Sequence, residues 1–170
     1  MNYDFGERSS MTRRSAQAGF TFIELLSVVV IIGLLTTIAM PNIKNYSARA
    51  KISEAMIALT TCRTVVAEVY LSAGGSLPAS GNWGCESTNS SKYVDAIDTS
   101  DVGVIKVTLS PAVGDARIAN SDITMAPLNR ANQVMDDNDI GSPVYRWRCG
   151  SSVDGTSVDV NFLPSTCRGN

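Results

Sequence analysis

The feature that most constrains this chain is an apolar run between Gly19 and Pro41. Residues 20–40 contain thirteen Phe, Leu, Ile or Val side chains and one charged group, the carboxylate of Glu24. A helix of that length, at about 1.5 Å per residue, reaches about 30 Å, which matches the hydrocarbon core of a bilayer. The run therefore predicts a membrane-spanning helix over residues 20–40.

The single carboxylate in this run needs its own explanation. An acidic residue costs about 2.5–3.5 kcal/mol at the centre of a spanning helix and less near an end, so the apolar side chains still favour insertion. An ionisable group inside a membrane segment is by default functional and requires a partner. The alternative left open by the residues is that Glu24 reaches the lipid headgroups.

The border before the run is unlike that of a secretory signal peptide, which is cleaved after its apolar core. Here a polar, basic leader ends in Ala18 and Gly19 immediately before the apolar residues. Cleavage after Gly19 would leave the apolar helix on the mature protein. It would also create a new amine on Phe20, one helical turn from Glu24.

At these residues the sequence resembles the type IV pilin family, and type IVa major pilins in particular. The motif is Gly19 followed by FTFIELL, with Gly33 and Pro41 downstream. The resemblance implies that a prepilin peptidase cleaves between Gly19 and Phe20 and methylates the new amine. It also implies that Glu24 pairs with the Phe20 amine of a neighbouring subunit during assembly.

The leader contains two methionines at which the chain could start. Residues 1–19 are interpreted as a prepilin leader peptide that is cleaved, and its three arginines hold it in the cytoplasm. A leader of this length is long for the family. Either Met1 or Met11 can therefore be the true first residue.

A long helix is expected to follow the leader over residues 20–73, because helical periodicity continues beyond the apolar run and Gly74 and Gly75 then end it. Its first half, residues 20–40, is apolar all round and is expected to protrude. Its second half, residues 41–73, is amphipathic and is expected to pack on a head. The predicted inner face consists of Ile43, Tyr46, Ala50, Met56, Leu59, Val66 and Val69 or Tyr70.

The weakest part of this helix is predicted between Gly33 and Pro41. Proline lacks an amide hydrogen and removes one helical hydrogen bond, which favours a kink. Glycine and the β-branched Thr36 and Thr37 are poor helix formers. Our hypothesis is that the segment bends or melts so that packed subunits extend under tension.

The remaining residues, 74–170, are expected to form a globular head of the α+β class. Residues 76–91 are rich in Ser, Gly and Asn and indicate a loop tied down by Cys85. Four short strands are predicted after it, over residues 93–97, 104–109, 123–128 and 144–149. An antiparallel sheet packed on the amphipathic half of the helix is the simplest arrangement of these elements.

The chain has four cysteines, all after the apolar run, and an even count in an exported domain indicates two disulfides. Three connectivities are open. We favour Cys62–Cys85 and Cys149–Cys167 because both pairs close modest loops. The second pair also looks like the disulfide-bounded C-terminal loop of type IVa pilins.

Catalysis finds no support in the residue types, and neither a cofactor nor a metal site is expected. The chain has no histidine, so it has no Ser-His or Cys-His pair and no typical zinc ligand set. Two weaker alternatives remain. The acidic run at residues 136–139 offers oxygen ligands to calcium, although it lacks the alternating spacing of an EF-hand loop and such a run is usually a solvated turn. Arg146, Arg148 and Arg168 offer a local DNA or phosphate contact, although a solvated strand face is the simpler interpretation.

Together with the resemblance to type IV pilins, these observations predict the major structural subunit of a type IV pilus. The precursor is expected in the bacterial inner membrane as a single-pass protein with its C-terminal domain in the periplasm. The pilus assembly machinery would then build it into an extracellular homo-oligomeric helical filament for adhesion, twitching motility or DNA uptake, with a host receptor or DNA as a further partner. The rivals are a minor pilin or type II secretion pseudopilin, and a membrane-anchored periplasmic binding or enzymatic domain.

Overall fold

The computed structural model describes residues 19–169, and the side chains of residues 39–44 are outside the description. The alternative starts Met1 and Met11 lie outside the described residues, as does the rest of the leader before Gly19. The described residues fall into two compact units that divide between Met40 and Pro41, and each is considered by itself below.

The predicted long helix is present as α1, Phe22–Ser72, with 51 residues. It ends at the glycine pair expected from the sequence. The amide of Ala73 still donates to the carbonyl of Val69 at 2.8 Å. Gly75 then has a φ of 129°, a backbone conformation that favours glycine and stops the helix.

The head contains one antiparallel sheet with the strand order β1-β2-β3-β4-β5. Its strands are β1 Ser87–Thr88, β2 Val94–Thr99, β3 Ile105–Leu109, β4 Asp122–Leu128 and β5 Arg146–Cys149. Strands β2 to β5 correspond to the four predicted ones. The fifth, β1, was not predicted because two exposed polar residues carry no apolar alternation.

The core of the head lies between the second half of α1 and one face of the sheet. The helix contributes Ala48, Ile52, Ala55, Leu59, Cys62, Val66 and Tyr70, all buried. The strands contribute Val94, Ile97, Ile105, Val107, Leu109, Ile123 and Met125. The spacing of three and four on the helix keeps this set on one face.

The inner face of the helix was only partly predicted. Leu59, Val66 and Tyr70 are buried as expected, but Tyr46 is 78% exposed and Ala50 is also exposed. The error has a physical reason. The buried face of the helix includes the small residues Ala48 and Ala55, whereas the sequence pattern gave more weight to larger residues.

The loop between α1 and β1 is held by a disulfide and by one carboxylate. Cys62 and Cys85 form a disulfide with a Cα–Cα distance of 5.2 Å. The carboxylate of Glu86 accepts hydrogen bonds from the amides of Trp83 at 2.8 Å, Gly84 at 2.8 Å and Cys85 at 3.0 Å, and from the hydroxyl of Thr99. Nothing in the sequence pattern distinguished Glu86 from other surface acids.

These contacts make Glu86 a pH-dependent contributor to stability. Burial alone would raise its pKa, but the hydrogen bonds from Thr99 and the loop amides outweigh burial and lower the pKa from 4.5 to about 2. The contribution is therefore complete above pH 4.5 and is lost as the pH falls from 4.5 to about 2.

We expect Glu86→Gln to lower the unfolding free energy at neutral pH by about 1–3 kcal/mol, because the amide cannot accept all of these hydrogen bonds. Urea unfolding of the processed chain in detergent at several pH values measures the effect. The difference between wild type and variant should shrink toward pH 2. A difference that stays constant over this range would contradict the assignment.

The C-terminal region wraps back onto the sheet through a second disulfide. Cys149 and Cys167 are paired with a Cα–Cα distance of 4.5 Å, and the Gly169 amide donates to the Cys149 carbonyl at 2.6 Å. Residues 150–169 are otherwise irregular, with one short 3-10 helix at Ser152–Asp154. The two disulfides join the cysteines that the sequence favoured.

Candidate functional site

The first part of α1 presents an uncovered apolar surface. All thirteen Phe, Leu, Ile and Val side chains of residues 20–38 are exposed, by 45% to 81%. An exposed apolar surface of this size is typical of a segment that is covered by lipid or by another protein. This segment is therefore the main candidate for the functional site.

The hydroxyl groups in this segment are already satisfied within the helix. The hydroxyl of Ser27 donates to the carbonyl of Glu24 at 2.9 Å. Those of Thr36 and Thr37 donate to carbonyls one turn earlier, at 2.7 and 2.8 Å. These groups need no water, so the segment is suited to an environment without it.

Glu24 has a local partner that the sequence analysis did not consider. Its Oε2 atom accepts from the amide of Thr21 at 3.3 Å and from the Thr21 hydroxyl at 3.0 Å. The amide of Glu24 donates back to the Thr21 hydroxyl oxygen at 3.4 Å. This is a capping box, and its signal, Thr-x-x-Glu before an apolar run, is present in the sequence. Among the described residues, Oε1 has no hydrogen-bond partner.

The predicted cleavage junction lies just before the helix. Gly19 and Phe20 are exposed and have no helical structure. α1 is continuous from Gly33 to Pro41 in the single chain. The bend or melting expected in that segment stays a prediction about the assembled fibre.

Two parts of α1 are apolar enough to consider as membrane segments. By length and composition, Asn45–Ser72 could cross a membrane. The part of the apolar segment that the structure describes as a helix, Phe22–Ile38, is shorter than the usual minimum length of a membrane-spanning helix. Asn45–Ser72 nevertheless carries five charged side chains and buries one face in the core of the head. We therefore assign it to the head. The predicted span over residues 20–40 extends past Ile38 and stays a prediction.

The outer face of α1 within the head carries several uncharged side chains. It contains the exposed Ile57 and a run of threonines, and the hydroxyls of Thr60, Thr61 and Thr64 donate to carbonyls of the same helix at 2.8 to 3.1 Å. Two grooves include parts of this face, one of about 510 Å³ toward Trp147 and one of about 350 Å³ toward Cys85. The face is uncharged at these four positions and suited to burial.

The acidic run at residues 136–139 forms a capped turn. Asp136 accepts from the amide of Asn138 at 2.9 Å, and Asp139 accepts from the amide of Asp136 at 3.2 Å. Asp137 accepts from the amide of Leu77 at 3.2 Å. These carboxylates order a short 3-10 helix and tie it to the loop after α1.

The three arginines weighed as a DNA contact do not act together. Arg148 makes a two-point ion pair with Asp154, at 2.7 and 2.6 Å, and the Asp154 side chain is only 5% exposed. Arg168 donates to the carbonyl of Leu163 at 3.1 Å. Arg146 and Arg168 are exposed, whereas Arg148 is half-buried. This arrangement favours a structural role, because two of the cations have internal partners.

An exposed apolar helix joined to a small disulfide-bonded head defines a protein that must be covered by lipid or by other chains. Comparison with protein families identifies which class this is. Residues 48–168 match the family model for pilin of the bacterial filament, and residues 14–40 match the prokaryotic N-terminal methylation motif. The chain therefore belongs to the pilin family, which confirms the resemblance seen in the sequence.

Known relatives agree with this membership. The type IV major pilin protein PilE1 of Neisseria gonorrhoeae is 30% identical over 166 residues, covering 91% of this chain and 95% of the relative. The fimbrial protein EcpC of Eikenella corrodens is 33% identical over 158 residues, covering 91% and 93%. The type IV major fimbrial protein FimA of Dichelobacter nodosus is 47% identical over 53 residues, covering 31% and 34%.

Membership of the pilin family implies assembly into a filament, a structural role rather than an enzymatic one, and a membrane-anchored precursor. The methylation motif implies processing by a prepilin peptidase.

Proposed function

We propose that the processed chain is the major subunit of a type IV pilus. The observation that carries the proposal is the exposed apolar surface of residues 20–38, which needs a cover in every environment the protein meets. Relatives named as major pilins or fimbrial proteins over most of this chain favour the major subunit over a minor pilin or secretion pseudopilin.

Processing is proposed at the junction before the helix. Prepilin peptidase cleaves between Gly19 and Phe20 and methylates the Phe20 amine. The exposed, non-helical backbone at this junction supports access by a peptidase. Before assembly the chain is held in the inner membrane by residues 20–40, with the head in the periplasm, an oxidising compartment that suits both disulfides.

Assembly is proposed to exchange lipid for copies of the same helix. The pilus assembly machinery extracts the subunit, and the apolar segments of neighbouring chains cover one another. Full burial of a Val, Leu, Ile or Phe side chain contributes about 1.5–3 kcal/mol, so the bundled segments hold the fibre together even after ordering costs. The uncharged positions Ile57, Thr60, Thr61 and Thr64 on the outer face of α1 support burial of that part of the head in the fibre.

Glu24 is proposed to set the position of each incoming subunit. Its carboxylate pairs with the methylated Phe20 amine of a neighbour through the oxygen that the capping box leaves free. An unpaired charge in an apolar bundle is strongly unfavourable, so only the register that brings the two charges together is stable. Gly33 and Pro41 are proposed to give the bundled helices local flexibility.

The proposal is tested on fibres sheared from cells that express the chain. Intact mass and N-terminal sequencing should show a protein that begins at Phe20 and carries one methyl group. Fibres made of another protein, or of this chain beginning at Met1 or Met11, would refute it. Adhesion, twitching motility and DNA uptake are then separated by comparing cells with and without these fibres.

A further inference from the structure

The loop that joins β4 to β5 encloses a small cavity that lies outside the segment proposed above to hold the filament together. Its volume is about 210 Å³, below the range of roughly 300–1,000 Å³ that is usual for drug-sized ligands. It therefore fits a small molecule or a single ring of a larger one. Its lining comprises Asn129, Arg130, Met135, Asp139, Ser142, Pro143 and Tyr145.

The cavity combines an apolar floor with an exposed aromatic wall. Met135 is fully buried beneath it. Tyr145 is 59% exposed, although its amide is held by the carbonyl of Leu128 at 3.0 Å. The guanidinium carbon of Arg130 lies 5.8 Å from the centre of the Tyr145 ring, a cation–π contact that orders both side chains.

Polar groups with spare hydrogen-bonding capacity surround this ring. The Asp139 carboxylate accepts from the amide of Asp136 at 3.2 Å and from Asn129 Nδ2 at 3.3 Å, which leaves further lone pairs free. Within the described part of the chain, neither the Arg130 guanidinium nor the Ser142 hydroxyl donates a hydrogen bond. Donors and an acceptor thus meet beside one aromatic face.

We propose that this cavity binds one pyranose ring of a neutral carbohydrate. A pyranose has an apolar C–H face that packs on an aromatic ring, and neighbouring hydroxyls that both donate and accept. Tyr145 supplies the ring, Arg130 and Ser142 donate, and Asp139 accepts. The opposite charges of Arg130 and Asp139 balance each other, which favours a neutral sugar over an anionic one.

The test uses the processed chain in lauryldimethylamine oxide micelles, which contain no sugar and require no filament. Amide NMR shifts are followed while D-glucose, D-galactose, D-mannose or N-acetyl-D-glucosamine is added. At least one sugar should shift the amides of Arg130, Ser142 and Tyr145 in a saturable way. Tyr145→Ala and Arg130→Gln should each weaken binding about tenfold, which corresponds to about 1.4 kcal/mol.

Arg146→Gln is the matched control, because Arg146 is an exposed arginine next to Tyr145 that does not line the cavity. It should bind as wild type does. No saturable shift with any of the four sugars, or equal loss in Arg146→Gln, overturns the proposal. Either result leaves the proposed filament function intact, because the measurement does not depend on assembly.

The sugar has two conceivable sources, a glycan of another cell or a glycan attached to a neighbouring copy of this chain. Intact mass of the sheared fibre protein distinguishes them. A hexose-sized mass addition, together with competition by the fibre for the free sugar, indicates the neighbouring copy. An unmodified mass together with sugar binding indicates an external glycan.

Discussion

Replacing Glu24 with valine is expected to reduce the sheared fibre fraction at least about tenfold while the protein stays processed and in the membrane. Valine removes the only charge in residues 20–40, so insertion becomes easier. The Phe20 amine of each incoming subunit, however, loses its partner in an apolar bundle, and an unpaired buried charge costs about 3–5 kcal/mol. Electron microscopy of cells and immunoblots of sheared and membrane fractions measure the two effects.

The capping box makes a second variant necessary, because Glu24→Val also removes the carboxylate half of the cap of α1. Thr21→Val disrupts the same cap, at a cost of about 1 kcal/mol, and leaves the carboxylate in place. We expect Thr21→Val to assemble. If Thr21→Val fails as completely as Glu24→Val, Glu24 acts through its own helix, and the pairing with a neighbour is wrong.

Replacing Gly150 with alanine is expected to destabilise the head by about 3–5 kcal/mol. Gly150 has a φ of 74°, which favours glycine. A Cβ at this position would overlap the carbonyl of Cys167 and lie 2.8 Å from the Leu163 side chain. Because the disulfide fixes that backbone, the loop cannot move away. Urea unfolding of the processed chain in detergent measures the loss.

Gly114→Ala separates backbone strain from steric overlap. Gly114 has a similar φ of 64°, but the nearest atom to its Cβ would be 4.0 Å away. We expect a loss of about 1 kcal/mol from the backbone conformation alone. Equal losses in the two variants would mean that the C-terminal loop does not pack against Gly150 as described.

The fold was largely predictable because its strongest signals are local. The apolar run, the glycine pair at the end of α1 and the alternating residues of β3 act within a few positions of the chain. The features that were not predicted from the sequence depend on contacts between residues that are distant in the chain. The inner face of α1 includes small residues such as Ala55 that become buried only when the head packs, and β1 forms only by pairing with β2.

The functional residues likewise divide into those with a local sequence signal and those that depend on contacts between distant residues. The position of Glu24 within the motif was visible in the sequence, and its cap by Thr21 had a sequence signal that was overlooked. Glu86 had no such signal, because the amides that it accepts from converge only when the loop after α1 folds. The cavity beside Tyr145 likewise exists only when the ends of the loop between β4 and β5 come together.

The most direct test of the account is a cryo-electron microscopy map of the sheared fibre. We expect the helices of residues 22–38 to form a bundle along the fibre axis, with the heads outside and each Glu24 carboxylate within hydrogen-bonding distance of a Phe20 amine from another subunit. A map in which residues 22–38 face solvent, or in which the heads alone hold the fibre together, would contradict the account.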